Sequence, residues 1–282
     1  EALKTRPSSL AIITDSNNKS LEIIKKNLSE LNLIDFYDFW LCEEIGFENE
    51  NIRKLNLKQS LPSDISSLNI VVLTKTKKNY SNDNLPLFGI SDHIFKTFDD
   101  RPNLLTKREV RVQILADLEL PKNGVIWDIG AGCGSIGLEA LKLRPNLDLF
   151  CIDKRIGSKA LILENSKRLG VKPKFIFEED INNTLNTRNL SSFEKPNRLV
   201  IGGCDKKTKL QIINTIAQGM KIGDIIVIPI IDIQTIKELK EELEDKNFKT
   251  NLNLIQTYKS LSIAEGIRLE PNNPVFLLKG KK

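Results

Sequence analysis

The run Val125-Ile-Trp-Asp-Ile-Gly-Ala-Gly-Cys-Gly-Ser-Ile-Gly137 constrains the fold of this chain more than any other stretch. An apolar segment ends in an acid and an isoleucine, glycines alternate at 130, 132 and 134, and a helix-like pattern starts at Ser135. This is the pattern of the first strand and turn of a doubly wound α/β sheet, where glycines let the turn backbone approach a ligand closely. Two ligand classes use such a turn. Gly132-Cys-Gly-Ser-Ile-Gly137 spells the G-x-G-x-x-G of dinucleotide sites. Three features favour S-adenosylmethionine instead: Asp128 just before the turn, the additional Gly130 that makes G-x-G-x-G, and Asp180 after the third strand.

The chain has 282 residues, 40% of them hydrophobic, enough for one large domain or two modest ones. Its 42 basic and 37 acidic residues leave a formal charge of +5, spread along the sequence. That balance suits an anionic substrate and gives no strong support to nucleic-acid binding. Cys42, Cys133, Cys151 and Cys204 form no C-x-x-C pair, and His93 is the sole histidine. Neither a zinc site nor a disulfide framework is expected, and the thiols read as the reduced cysteines of a cytoplasmic protein. No apolar run approaches the roughly 18 residues of a membrane span, and no signal peptide opens the chain. The opening Glu1-Ala-Leu-Lys-Thr-Arg-Pro7 lacks Met and reads as the continuation of upstream sequence.

Periodicity predicts a smaller α/β domain first, with strands at residues 10–14, 39–42 and 69–73 and a helix over 20–31. Residues 75–83 are polar and lysine-rich, a hairpin tip or an exposed loop. The regular pattern lapses over residues 91–100, and the boundary is placed there, giving domains 1–92 and 93–282. Beyond it a helix is predicted over 107–118. Strands follow at 125–129, 147–152, 174–177, 198–201 and 225–230, with helices at 135–143, 158–169, 206–220 and 233–245. This alternation argues for a mainly parallel sheet covered on both faces. Residues 250–256 and 275–278 are expected to close it as a late antiparallel hairpin.

Ligands of such sheets lie beyond the carboxyl ends of the strands. The glycine turn follows strand one. Asp153 ends strand two, where an acid accepts hydrogen bonds from ribose hydroxyls; Glu179 and Asp180 follow strand three, where an adenine amino group is met, with Ile181 as a backbone donor or apolar wall. In Leu105-Thr-Lys-Arg-Glu-Val-Arg111, Thr106 and Glu109 are spaced as a capping box. Lys107, Arg108 and Arg111 crowd the first helical turns, where the macrodipole disfavours cations; they read as anion-binding or as solvated surface charge. Gly202 and Gly203, after strand four, either let a bulky ligand lie on backbone or make a tight turn. No N-P-P-Y or D-P-P-Y sequence stands there, which weakens a nucleic-acid substrate.

Taken together, Thr106-Lys-Arg-Glu-Val-Arg111, Trp127-Asp-Ile-Gly-Ala-Gly-Cys-Gly-Ser135, Ile201-Gly-Gly203 and Asn273-Pro-Val275 resemble the decarboxylating precorrin methyltransferases of cobalamin biosynthesis, over roughly residues 88–282. The resemblance implies a Rossmann-like, class I S-adenosylmethionine-dependent methyltransferase. It implies methylation of carbon 15 of a precorrin or cobalt-precorrin, with loss of carbon dioxide from the ring-C acetate and S-adenosylhomocysteine as product. It assigns the donor pocket to Thr106, Asp128, Gly130, Ala131, Gly132, Cys133, Gly134, Asp153, Asp180 and Ile181. Cys133 stands where the family has a serine or similar small residue. Lys107, Arg108, Arg111, Gly202 and Gly203 are candidates for holding the substrate and its carboxylates. Decarboxylation itself generates an enamine-like carbon nucleophile, so no catalytic acid or base is named. No metal, no membrane and no nucleic-acid partner are expected; a homo-oligomer is.

Ala11-Ile-Ile-Thr-Asp15, Cys42-Glu-Glu-Ile-Gly46 and Phe88-Gly-Ile-Ser-Asp92 resemble the second half of the partner module, a tetrapyrrole methylase acting at carbon 5. The first half of that module, with its own donor loop, is not in this sequence, so methylation of carbon 5 by this chain alone is not expected. The competing readings are a methyltransferase acting on RNA or a small metabolite, and a non-enzymatic assembly module.

Overall fold

The computed structural model describes residues 2–5, 7–15, 19–30, 33–34, 36–76, 85–102, 104–183, 193–263 and 266–282. The chain divides into two compact units, Glu1–Asn79 with Leu261–Arg268, and Tyr80–Ser260 with Leu269–Lys282. Most of the polar 75–83 segment lies outside the described residues.

In the first unit, strands β1 (Ser9–Ile13), β2 (Tyr37–Glu43), β3 (Asn51–Leu55) and β4 (Asn69–Lys75) form an antiparallel sheet in the order β1-β4-β2-β3. The helix α1 (Lys19–Glu30) contributes Leu21, Ile24 and Leu28, spaced three and four residues apart, to a core with Phe39, Leu41, Val71 and Leu73. Ile23 falls off that stripe and is exposed. Strand β3 had no sequence prediction. It is a polar edge strand with little buried surface, and it carries no apolar alternation to read.

In the second unit, α2 (Arg108–Asp117) precedes β5 (Gly124–Ile129), α3 (Ser135–Leu143), β6 (Leu147–Asp153), α4 (Ser158–Leu169), β7 (Phe175–Glu178), β8 (Arg198–Ile201), α5 (Lys206–Ile216), β9 (Ile225–Ile230) and α6 (Ile236–Asp245). Strands β10 (Lys249–Ile255) and β13 (Val275–Lys281) follow. The described strands make a seven-stranded sheet in the order β10-β13-β9-β8-β5-β6-β7. Strands β5 to β9 run parallel, and β13 is antiparallel to both β9 and β10. Two further strands, β11 (Tyr258–Ile263) and β12 (Gly266–Pro271), pair with each other. They lie in the long connection between β10 and β13, for which the sequence predicts no strands; residues 261–268 group with the first unit. Among the described residues, no helix is long and apolar enough to cross a membrane.

Each face of the sheet is apolar and covered. Along β5, Ile126 turns to a core shared with Ile114 of α2, Leu138 of α3 and Ile162 of α4. Val125, Trp127 and Ile129 turn to the other core, with Ile212 and Ile213 of α5 and Leu239 and Leu243 of α6. A strand with side chains buried on both faces reads as a continuous apolar run, which is why the central strands were legible. The sheet order reverses at β5, with β6 on one side and β8 on the other. That switch point opens a crevice at the carboxyl ends of the strands.

The start of α2 differs from the expected capping box. Lys107, not Thr106, is the N-cap, and it makes no side-chain cap hydrogen bond. The Thr106 carbonyl accepts instead from Arg111 Nη1 at 2.6 Å. Arg111 is fully buried. Its Nε meets Glu139 Oε2 at 2.8 Å, Nη1 meets Asp92 Oδ1 at 3.1 Å, and Nη2 donates to the Ile90 carbonyl. The guanidinium also lies 4.7 Å from the Phe95 ring centroid. The carboxylate of Glu139, equally buried, accepts from the Gly89 and Ile90 amides. One ion pair thus joins α2, α3 and residues 89–92, so the Phe88-Gly-Ile-Ser-Asp92 stretch packs within the second unit. Removing one member of a buried pair strands the other charge, at a cost of about 3–5 kcal/mol. Arg111→Ala is expected to lower the urea-unfolding stability of this unit by that amount, and Arg111→Met with Glu139→Gln to recover part of it.

Candidate functional site

The crevice at the switch point holds a cavity of about 1010 Å³, lined entirely by residues of the second unit. Its floor is the glycine turn. Gly130, Gly132 and Gly134 have φ of 71°, 58° and 79°, the left-handed region that favours glycine. The Gly130 and Ala131 amides donate back to the Ile152 carbonyl at 2.8 and 3.2 Å, and Gly134 N donates to the Ala131 carbonyl at 2.8 Å. These bonds fix the turn across the ends of β5 and β6.

Asp153, at the end of β6, is held by the backbone around it. Its Oδ2 accepts from Gly132 N at 2.7 Å and its Oδ1 from Arg155 N at 2.8 Å. Each carboxylate oxygen has a second lone-pair direction, so the group can still accept from a ligand. Ile181, also in the lining, is buried, and Asp180 Oδ1 accepts from Asn182 N at 2.9 Å. Lys154 Nζ stands 3.8 Å from Asp180 Oδ2.

Gly202 and Gly203 follow β8 against the glycine turn itself. Gly202 N donates to the Ile129 carbonyl at 2.7 Å. A Cβ on Gly130 would stand 2.6 Å from Gly203 N, and one on Gly202 would stand 3.0 Å from the Gly130 carbonyl oxygen. The two turns are therefore in backbone contact, and Gly130 and Gly202 are needed for that contact whatever binds above them.

Of the residues singled out from sequence, Thr106, Lys107, Gly130, Ala131, Gly132, Cys133, Asp153, Asp180, Ile181, Gly202 and Gly203 line this one cavity. Four others do not. Asp128 and Gly134 support the turn from behind: Asp128 Oδ2 accepts from Gly137 N at 3.0 Å, and Gly134 is the left-handed N-cap of α3. Arg111 is spent in the buried pair with Glu139, which corrects its expected role at a substrate carboxylate. Arg108 turns its Nε to the Gly89 carbonyl at 2.6 Å, away from the lining. The cavity also draws on residues the sequence reading passed over, among them Arg101, Lys154, Arg155, Lys209 and Asp232. The rule that ligands sit beyond strand ends would have found Lys154, Arg155 and Asp232, which follow β6 and β9 directly.

The titrating groups here are shaped by burial. Burial pushes the Asp128 carboxyl up to about 7, with the Asp153 charge adding to it and the Gly137 amide opposing it. Cys133 and Cys204 both line the cavity, and burial pushes each thiol up to about 11. Neither is a thiolate near neutral pH, so the cavity offers no cysteine nucleophile.

Residues 97–282 match the model of the precorrin methyltransferase domain family. The chain is 30% identical over 198 residues to a probable cobalt-precorrin-6B C(15)-methyltransferase (decarboxylating) of Saccharolobus solfataricus, covering 69% of this chain and 96% of that protein. Among solved structures, precorrin-6y C5,15-methyltransferase from Geobacter metallireducens superposes with a TM-score of 0.61 at 28% identity, over 71% of this chain and the whole of that one. Precorrin 8W decarboxylase from Methanobacterium thermoautotrophicum superposes with a TM-score of 0.60 at 25% identity, over 68% of this chain and 100% of that one.

Two measurements test this geometry. Gly130→Ala combines a left-handed φ with a backbone clash and is expected to cost at least about 2 kcal/mol. Gly132→Ala meets nothing within 4 Å and is expected to cost about 1 kcal/mol of backbone strain alone. Urea-unfolding midpoints compare the two. For Asp128, the folded carboxyl binds its proton up to about pH 7 and the unfolded one only to about 3.9. Its share of stability is fully present below that lower value and is lost as pH rises through 7. Asp128→Asn keeps an acceptor for Gly137 N without titrating, so its melting temperature should gain on wild type between about pH 4 and 7. A difference that stays constant across that range would refute the account.

Proposed function

The chain belongs to the precorrin methyltransferase family, and we propose that it methylates carbon 15 of a precorrin or cobalt-precorrin and removes carbon dioxide from the ring-C acetate. The observation that carries the reading is one cavity that brings together the glycine turn, Asp153, the Asp180–Ile181 corner and several cations, among them Lys107, Lys154, Arg155 and Lys209. At about 1010 Å³, it is at the top of the range for small-molecule pockets, about 300–1,000 Å³, which suits a donor and a large acceptor together.

The residues on the donor side fit S-adenosylmethionine. The Asp153 carboxylate, oriented by two backbone amides, has lone pairs left for ribose hydroxyls. Ile181 offers an apolar wall to an adenine ring, and Asp180 an acceptor for its amino group. Thr106, Ala131 and Cys133 complete that side, and the left-handed glycines at 130, 132 and 134 keep stretches of the turn backbone bare. When bound, S-adenosylmethionine supplies an electrophilic methyl group. The chain then holds the acceptor carbon in line, and such positioning can lower a barrier by about 7–11 kcal/mol. Lys107 and the Gly202–Gly203 backbone border the acceptor side, where carboxylates of the tetrapyrrole would lie. Decarboxylation of the ring-C acetate leaves its electron pair in the conjugated macrocycle, so no protein base is required to make the carbon nucleophile. The first unit is read as the second half of a carbon-5 methylating module, and the whole as a homo-oligomer of the cytoplasm without a nucleic-acid partner.

Calorimetric titration with S-adenosylhomocysteine, beside NAD, tests the donor assignment. S-adenosylhomocysteine is expected to bind and NAD is not, and Asp153→Ala should weaken the first by at least about tenfold. Binding of NAD in its place would return the glycine turn to the dinucleotide class.

A further inference from the structure

We propose that Lys209 is the cation that receives a carboxylate of the methyl acceptor. The inference rests on the proposed function and names a residue of that site outside the motifs that define it.

Lys209 lies in the first turns of α5, just after the corner made by Gly202 and Gly203, and lines the cavity. It is half-buried, yet no carboxylate among the described residues comes within 4.0 Å of its Nζ. The nearby acids are held by other donors and make no ion pair with it. Asp205 caps α5, accepting from Thr208 N and Thr208 Oγ1 at 2.9 Å each. Asp232 accepts from Gln234 N at 3.0 Å. Other cations of the lining already have counter-charges: Lys206 with Glu238 at 2.9 Å, Lys154 with Asp180 at 3.8 Å and Arg155 with Asp100 at 3.8 Å.

The helix adds to the cost, because a cation near the amino end of α5 faces the positive end of its dipole. Burial pulls the ammonium below the ordinary lysine range, opposed by the Asp205 and Asp232 carboxylates. A half-buried charge without an ion pair is unfavourable by itself, and the more distant Asp205 and Asp232 offset only part of that. It becomes favourable when an anionic group of the ligand enters the cavity, and sites of this kind concentrate at binding clefts. Two ligands bring a carboxylate, the tetrapyrrole and the amino-acid end of the donor. Lys209 follows β8 rather than the glycine turn and Asp153, which places it with the acceptor.

Titrations with S-adenosylhomocysteine, and with uroporphyrin III as a polycarboxylate tetrapyrrole in its presence, separate the outcomes in wild type, Lys209→Met and Lys209→Arg between pH 7 and 10. Lys209→Met is expected to bind S-adenosylhomocysteine as wild type does and uroporphyrin about tenfold more weakly or worse. Wild-type uroporphyrin affinity should fall as pH rises through the Lys209 titration. Lys209→Arg should keep the affinity without that fall, since a guanidinium stays charged. Equal uroporphyrin affinity in wild type and Lys209→Met overturns the inference alone. So does a loss of S-adenosylhomocysteine binding in Lys209→Met, which assigns the lysine to the donor carboxylate. Failure of wild type to bind uroporphyrin while it binds S-adenosylhomocysteine overturns the tetrapyrrole reading together with this one.

Discussion

The second unit depends on the contact between Arg111 and Glu139. Both side chains are withdrawn from solvent, and between them they take up the Gly89 and Ile90 amides, the Ile90 and Thr106 carbonyls and the Asp92 carboxylate. Burying two charges is unfavourable unless nearly every remaining donor and acceptor is met. Here the groups that meet them come from the segment before α2, so that segment cannot leave without uncovering the charges. The same contact sets Thr106 and Lys107 at the cavity rim, because Arg111 pulls in the Thr106 carbonyl from one helical turn away. A charge pair remote from the ligand thereby determines where one wall of its pocket stands.

Much of the architecture could be read from sequence because its signals are local. The buried strands β5, β6, β8 and β9 appear as short apolar runs, and α3 and α4 between them as helical spacing. What escaped was what pairing alone creates. Strand β3 is a polar edge held by its neighbour, and the β11–β12 ribbon is mostly exposed, its apolar alternation at Ile267 and Leu269 too short to stand out. The start of α2 departs from its sequence signal for a different reason. Thr106 and Glu109 have the spacing of a cap, but the helix starts one residue later, with Lys107 at the N-cap and the Thr106 carbonyl taken by the Arg111 guanidinium.

The cavity shows the same division. The glycine turn and Asp153 were legible because they act through backbone geometry and strand ends, which follow from residue order. Which cations face the cavity was not. Arg108, Arg111 and Lys107 stand within five positions of one another, yet one reaches back to Gly89, one is buried in a pair, and only Lys107 lines the space. Helical phase and the partners available in three dimensions separate them, and a cluster of like residues in sequence carries neither. Lys209, by contrast, sits in an unremarked amphipathic stretch and is distinguished only by what fails to surround it.

The backbone contact between Gly130 and Gly203 has a mechanical consequence. With no side chain between them, the turn after β5 and the turn after β8 have no compliant layer to absorb displacement. They behave as a single stiff joint, fastened further by the Gly202 amide on Ile129. The spacing between whatever rests on one turn and whatever rests on the other is then a dimension cut when the chain folds, with no tolerance left to be adjusted when either piece arrives.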